Sequence, residues 1–504
     1  MSDAAPEPRL QADNANLFAQ PPQSIGAILS CYASRQQRNR PPEDVKPVAR
    51  RRAAIAMGIG VTVFGFGVMM LGGTHPFTTW LGVAPPLLGL GAAWAIWVNR
   101  LPHETLTFVG RSGAARFVRE GHRAHTIFHS LDFHHAATLI KRHNTHTQAN
   151  HYLYQPVDDE TYDFVWLDAA GDELLRVHGH DTHLNHFSEP QQSYYFGLAA
   201  ELAWTRHLLR ENSARLIKGE AIRFRLNDID EHWISISPEG VRVFCEGCEQ
   251  VYELDLSKPL WRGESGFRIA VKPDREGEQT RWIDFPDQLM PNELLFLKIW
   301  ELYTGAKAEQ HHLVSETQSE PHCPLTGLLA TQMFHRELEK AVAQHNRRKR
   351  HLAVMAIEVA NLAHIKHAFG RENGELALKT LAQRLRQKVR DSDLLGRLWH
   401  DELGVALVDF SGAEQIMPMV EALYDALNAP IQSPMGWIHT ELHIGCGMLT
   451  SQQERWEALL CLARRRAYRQ RLEAVVGHTI YGESGCGEHL APAAQHAPQP
   501  VQSA

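Results

Sequence analysis

The chain has 504 residues, room for two to four domains and at least one full-sized core. Its 51 Lys and Arg against 58 Asp and Glu give a formal net charge of -7, which argues against general nucleic-acid binding, where a basic excess is expected. The 7 cysteines are scattered, which argues against a disulfide-stapled secreted scaffold.

Residues 1–52 are polar and end in a basic cluster, with Pro-Pro pairs at 21–22 and 41–42, and are expected to be a disordered N-terminus. Two uncharged apolar runs follow, at 53–72 and 80–98. Each is close to the ~20 residues that cross a bilayer core. Pro85 and Pro86 are expected to kink the second run near its start without forbidding it. Arg50, Arg51 and Arg52 precede the first run and Arg100, Arg111 and Arg116 follow the second, while the connecting segment has no Lys or Arg. The positive-inside rule then predicts a transmembrane helical hairpin over 53–98, in a bacterial inner membrane, with both termini cytoplasmic. A cleaved signal peptide is disfavoured by the length of polar chain ahead of the first run.

Residues 99–305 read as a β-rich cytoplasmic region of one or two small modules. Period-two stretches such as "YDFVWLDA", "WISIS" and "FRIAVK" alternate with turn signals. Two helical patterns interrupt or close the region: "QQSYYFGLAAELAWTRHLLREN" and "MPNELLFLKIWELYTG", the latter with Asn292 as an N-cap and Gly305 as a stop. Cys245 and Cys248 flank Glu246-Gly247 between two strand-like runs, which reads as a hairpin turn rather than half a zinc site. Of the 30 histidines, 13 fall between His103 and His186. The run "HGHDTHLNH" at 178–186 matches no closed metal site and reads as exposed polar surface.

From 321 to 483 strands and helices alternate. "HLAVMAIEVA", "LGVALVDF" and "HTELHIGCGML" are strands; "NGELALKTLAQRLRQKVR", "GAEQIMPMVEALYDALNA" and "WEALLCLARRRAYRQRLEAV" are amphipathic helices. The Pro/Ala/Gln-rich tail, 486–504, is expected to be disordered.

Several pieces of 321–483, in order, resemble the GGDEF domain of the diguanylate cyclase family. "PLTGLLATQMF" is similar to the family's opening motif, although Cys323, Ala330 and Thr331 stand where Asp, Asn and Arg are usual. "VRDSDLLGRLWHDELGVAL" takes the place of the signature hairpin, "LHIGCG" of the Ser-Ile-Gly-x-Ala strand, and "LARRRAYRQR" of the closing helix. The resemblance implies an α+β fold overall: a palm-like, mainly antiparallel sheet with flanking helices, preceded by the hairpin and the β-rich region. It also implies the joining of two GTP into cyclic di-GMP, with acidic residues holding divalent metal against triphosphate.

Residue by residue, the first metal-binding Asp position corresponds to Glu358, and the third and fourth signature residues, Asp401 and Glu402, are intact. Glu358 and Asp401 are therefore the expected remnants of a metal site, with Asp401 and Glu402 otherwise vestigial. The two signature glycines are Trp399 and His400, whose rings obstruct the close backbone approach that glycine permits. The guanine-reading Asn and Asp correspond to Lys366 and Glu375, and the phosphate-seating Phe-Lys pair to Leu362-Ala363. In the closing helix the phosphate-contacting Lys corresponds to Arg471, and an Asp to Arg464. Upstream of the signature, Arg390 and Asp393 form the Arg-x-x-Asp of the family's inhibitory site, where Arg390 would clamp guanine and phosphate, Asp393 would accept from guanine, and Arg397 would assist. "R-x-S-D" also fits a turn that simply ends a helix.

The leading expectation is a membrane-anchored, non-catalytic cyclic di-GMP receptor or scaffold. It would meet a protein partner through the β-rich region, with self-association as a homodimer admitted. No cofactor is expected, apart from Mg²⁺ if nucleotide binding at the vestigial pocket persists. The alternatives are an active cyclase with an atypical signature, and a purely structural dimerisation or interaction protein.

Overall fold

The computed structural model describes residues 19–33, 103–120, 126–149, 156–182, 189–225, 232–245, 248–253, 260–263, 266–272, 281–286, 290–305, 308–310, 321–348, 351–410, 416–449 and 455–476. The expected membrane hairpin at 53–98 and the tail at 486–504 lie outside these residues. Among the described residues no helix is long and apolar enough to cross a membrane.

The first element corrects the sequence expectation. Strand β1 (Ile28–Ala33) falls inside the stretch expected to be disordered. It pairs antiparallel with β2 (His103–Gly110), which continues into β3 (Gly113–Glu120) and β4 (Thr126–Asp132) in the order 1-2-3-4. Only six residues long and set among prolines, β1 gives little periodic signal, and its partner strand lies some seventy residues away. The ladder is nevertheless specific, because Ser30 and Ile25 are fully buried.

The middle region holds three more sheets. The first joins β5 (Thr138–Ala149), β6 (Pro156–Leu167) and β7 (Glu173–Thr182). Helix α1 (Glu189–Glu211) and the short α2 (Ser213–Ile217) follow. The next sheet contains β8 (Ile222–Arg225), β9 (Trp233–Ser237), β10 (Gly240–Cys245) and β11 (Cys248–Tyr252). Cys245 faces Cys248 across the expected hairpin. The last is built from β12 (Leu260–Gly263), β13 (Gly266–Val271), β14 (Arg281–Pro286) and, beyond helix α3 (Glu293–Thr304), β15 (Ala308–Gln310). Gly305 ends α3 in the left-handed conformation, as expected. Asn292 stands at the N-cap position, its carbonyl accepting from the Leu295 and Phe296 amides, but its side chain does not cap the helix: with φ of 57°, its Oδ1 accepts from the Leu139 amide and the Trp204 indole. One apolar cluster joins Phe164, Trp166, Phe196, Trp204, Ile236, Phe296 and Leu472, so the middle region and the last described helix share a core.

The C-terminal unit follows the predicted alternation. Strand β16 (Leu329–Ala330) leads into α4 (Thr331–Arg348), β17 (His351–Val359), α5 (Leu362–Phe369) and α6 (Arg371–Lys388). Then come β18 (Leu394–Arg397), β19 (Glu402–Phe410), α7 (Ile416–Asn428), the hairpin β20 (Ile431–Ser433) and β21 (Gly436–Ile438), β22 (Leu442–Met448) and α8 (Trp456–Val476). The sheet order is β16-β18-β19-β17-β22, antiparallel except between β16 and β18. β17 and β19 are central and buried on both faces, which explains their unbroken apolar runs. Gly445 of β22 lies where a Cβ would run into the α8 backbone at Ala463 and Ala467, so this glycine lets helix and strand pack closely.

Helix α5 meets the N-terminal sheet through buried polar contacts. Ser30 Oγ lies 2.8 Å from His367 Nδ1 and 3.2 Å from His364 Nδ1, and Thr107 Oγ1 lies 2.8 Å from His367 Nε2. A neutral His367 satisfies both hydroxyls, one ring nitrogen donating and the other accepting. Burial pushes both imidazoles down to about 3, with Arg206 and His367 adding to the effect at His364.

In the unfolded chain these histidines titrate near 6.5, so between about 6.5 and about 3 the unfolded state takes up protons that the folded state does not. Their contribution to stability is therefore complete above about pH 6.5 and falls as pH drops, by up to about 1.4 kcal/mol per pH unit for each ring. The urea midpoint of the full chain should be lower at pH 5 than at pH 7. The difference should shrink in His364→Gln; an unchanged difference would place the acid sensitivity elsewhere.

Candidate functional site

The sequence-matched site residues fall on the edge formed by the C-terminal ends of β17 and β18, the turn into β19, and the helices α5 and α8. Glu358 of β17 and Glu402 of β19 are direct cross-strand partners. Both are almost fully buried.

Each of these two carboxylates carries cations. Arg464 of α8 forks onto Glu402, with Nε donating to Oε1 at 2.8 Å and Nη2 to Oε2 at 3.1 Å. Arg471, seven residues or two helical turns further along α8, donates from Nη1 to Glu358 Oε1 at 2.7 Å. Lys298 of α3, in the middle region, donates to the same Oε1 at 3.3 Å and to Glu301 Oε2 at 2.8 Å. Burial opposes charge on both arginines, yet Glu402 and Glu358 outweigh it and hold Arg464 and Arg471 above their ordinary values. These are charge-assisted hydrogen bonds in a dry setting, with planar guanidinium matched to planar carboxylate.

The expected metal remnant is rearranged accordingly. Asp401 sits in the turn, with its carboxylate 3.7 Å from His400 Nε2 and its carbonyl accepting from the Val359 amide at 2.8 Å. Among the described residues, Glu358, Asp401 and Glu402 do not form a three-ligand group that one ion could share. Arg471, expected at a phosphate pocket, faces inward onto Glu358 instead.

Trp399 and His400 occupy the tight turn between β18 and β19, where the Leu398 and Trp399 amides both donate to the Glu402 carbonyl. Neither residue has a positive φ, so the turn no longer needs the signature glycines. Trp399 is half-buried and His400 exposed, their rings 6.0 Å apart. Arg397 clamps this turn: Nε donates to the Trp399 carbonyl at 3.2 Å, Nη2 to the His400 carbonyl at 3.1 Å, and Nη1 to Cys323 Sγ at 3.4 Å. Burial raises the Cys323 thiol, but the hydrogen bonds from Arg397 and Thr326 prevail and bring it down to about 7.

The residues matched to the family's guanine-reading positions have partners of their own. Lys366 of α5 extends toward the Tyr195 ring of α1, 6.0 Å from its centroid. Burial first, then Arg371 and Arg397, lowers its ammonium below the ordinary value. Glu375 is paired with Arg371 one helical turn earlier, at 2.8 Å. Leu362 is buried in the sheet core.

Arg390 and Asp393 lie apart from this cluster. Asp393 Oδ2 accepts from the Arg390 amide at 2.9 Å and Oδ1 from the Val408 amide at 3.1 Å, so its carboxylate closes the turn after α6. Arg390 is exposed.

Sequence reading missed Lys298 and the inward turn of Arg464 and Arg471. A signal for the first is visible: Lys298 and Glu301 are charged positions one turn apart inside the otherwise apolar "LLFLKIWELY". Arg464→Ala should cost about 3–5 kcal/mol, because Glu402 stays buried without its guanidinium. Arg464→Met combined with Glu402→Leu should recover most of that loss in the same denaturation measurement, since a buried ion pair is often replaceable by packed apolar groups.

Comparison with known proteins finds the following likenesses. The family model "Diguanylate cyclase, GGDEF domain" matches residues 322–474. The diguanylate cyclase TpbB of Pseudomonas aeruginosa is 29% identical over 140 residues, 28% of this chain and 32% of TpbB. The uncharacterized protein y4lL of Sinorhizobium fredii is 28% identical over 207 residues, 40% of this chain and 24% of y4lL. This chain thus spans between a quarter and a third of the length of these curated relatives. Among solved structures, a GGDEF-only form of TpbB (YfiN) from Pseudomonas aeruginosa is 26% identical with a TM-score of 0.28, covering 30% of this chain and 88% of that one. Residues 322–474 of this chain are a GGDEF domain of the diguanylate cyclase family.

Proposed function

We propose that the chain is a membrane-anchored, non-catalytic GGDEF protein that acts in cyclic di-GMP signalling as a nucleotide receptor or scaffold. The observation that carries the reading is the set of internal cations on the two buried carboxylates. Lys298 and Arg471 lie on Glu358 and Arg464 on Glu402, where the family holds Mg²⁺ against triphosphate. A divalent ion would have to displace buried, hydrogen-bonded counter-ions, so these residues do not fit Mg²⁺. Lys366, which offers only donors, and the ring of Trp399 add to the case.

The membrane reading gains support from β1 and β2. The 53–98 segment lies between two strands that are hydrogen-bonded neighbours in one sheet, so a segment that crosses a bilayer there must return to the side it left. A two-span hairpin meets that condition and a single span does not.

Nucleotide recognition is assigned to Arg390, exposed and separate from the Trp399 turn. A purely structural role has one specific observation in its favour: both Asp393 oxygens already accept from backbone amides.

The full-length protein is the right sample, because a 306–504 fragment would lack Lys298. With Mg-GTP it should form no cyclic di-GMP, and Trp399→Gly with His400→Gly should not restore product. Robust turnover by the unaltered chain would refute the non-catalytic reading. In calorimetry cyclic di-GMP should bind, and Arg390→Ala should weaken binding roughly ten- to a hundredfold, the ~1.5–3 kcal/mol typical of charged hydrogen bonds. No heat, or equal affinity in Arg390→Ala, would leave the domain as a structural block. Reporter fusions at Met1 and Ala504 should both read cytoplasm; a periplasmic signal from either would overturn the hairpin.

A further inference from the structure

Several buried polar side chains on α1 have clear partners. Glu201 pairs with Lys141 at 2.8 Å, Thr205 donates to the Glu201 carbonyl at 2.8 Å, and Arg206 reaches Glu441 at 2.8 Å. His207 is different. Its side chain is 6% exposed and its Nε2, fully buried, makes no hydrogen bond. Glu211 Oε1 approaches Nε2 to 3.2 Å, but not in a direction that makes a hydrogen bond. A buried imidazole nitrogen without a donor or acceptor is destabilising.

What Nε2 faces is a set of ligands. His207 and Glu211 stand one helical turn apart on the same face of α1. His134, from the turn after β4, closes the group, and the donor atoms of all three lie within 4.8 Å of one another. Among the described residues no other group of three such side chains is this close. The positions are held from behind. The His207 ring stacks on Trp204 at 5.6 Å and 19° and lies 5.7 Å from Phe133, while the His134 ring meets it edge-on at 5.0 Å. Asp132 Oδ1 accepts from the His134 amide at 2.9 Å and so fixes the turn that presents this ring.

We propose that His134, His207 and Glu211 form a site for a borderline divalent transition-metal ion such as Zn²⁺, with the fourth position open to solvent. Two imidazoles and one carboxylate suit zinc and its neighbours rather than Mg²⁺ or Ca²⁺, which prefer all-oxygen shells. Tetrahedral bonds of ~2.0–2.2 Å place donors roughly 3.4 Å apart, so the exposed His134 and Glu211 need to close by only about 1 Å. Burial first, with His134 and Arg210 adding to it, holds His207 below its ordinary value and so neutral, the form that ligates. Asp132 and Glu211 supply negative charge near the ion, while Arg210 opposes it. The site is independent of the nucleotide reading. It lies one residue from Arg206, whose Nη2 also donates to the Ala360 carbonyl of the GGDEF domain at 3.2 Å, so an ion there would brace the end of α1 that holds the two regions together.

The test is a Zn²⁺ titration of the detergent-purified full chain against a chromophoric chelator, with Co²⁺ as a spectroscopic reporter of coordination. One equivalent should bind. His134→Ala and Glu211→Gln, both at exposed positions that should not perturb folding, should each weaken that equivalent by more than the roughly 10–100-fold lost with an outer-shell partner. Replacing His178, His180, His183 and His186 together by Ala should leave it intact. Absence of a stoichiometric site in the unaltered chain, or retention of the site in His134→Ala, would overturn the proposal. Loss of the site in the fourfold control instead would assign the metal to that histidine run and overturn it equally.

Discussion

Every residue of α1 from Ala199 to Leu209 is buried, and this constraint organises the molecule. A helix covered on all sides cannot be a surface amphipath; it is a shared core element. Phe196, Ala200 and Trp204 fill the middle-region core, while Arg206 reaches the GGDEF domain at Glu441 and the Ala360 carbonyl. Because water cannot reach this helix, each polar side chain on it needs a protein partner. That requirement produces the Lys141–Glu201 pair and the Arg206 anchor, and leaves His207 turned toward His134 and Glu211.

The same logic governs the buried carboxylates of the candidate site. Glu358 and Glu402 are adjacent across a central ladder and both are withdrawn from water. Two uncompensated carboxylates there would be prohibitive. In the family a metal ion meets that need. Here two arginines on one face of α8 and a lysine from outside the domain meet it instead. Lys298 matters most for architecture, since it makes the middle region part of the site's electrostatics. The docked arrangement therefore rests on charge neutralisation as well as on the apolar cluster that includes Leu472.

Tertiary context also changed the meaning of individual letters. Arg397, expected to assist a ligand, instead fastens the Trp399–His400 turn and approaches the Cys323 thiol. Asp393, matched to a guanine acceptor, satisfies two backbone amides. The direction in which such side chains turn depends on what the neighbouring strands leave unsatisfied.

The sequence by itself determined three strands and three helices of the GGDEF domain and their order, while α4, α5 and the β20–β21 hairpin emerged only in the structure. Its central strands are buried on both faces and its helices carry one apolar stripe, and such periodicities are local properties of the chain. It also determined the kinds of residue at the positions matched to the family's motifs: Glu358, Lys366, Trp399 and His400. Only the tertiary structure decided that Ile28–Ala33 is a strand, because its ladder partner lies beyond the intervening apolar segment. It alone decided that Arg464 and Arg471 turn inward, that Lys298 joins them, and that His134 meets His207. Each of those contacts joins residues at least 60 positions apart, a separation at which no local pattern encodes proximity and only packing can supply it.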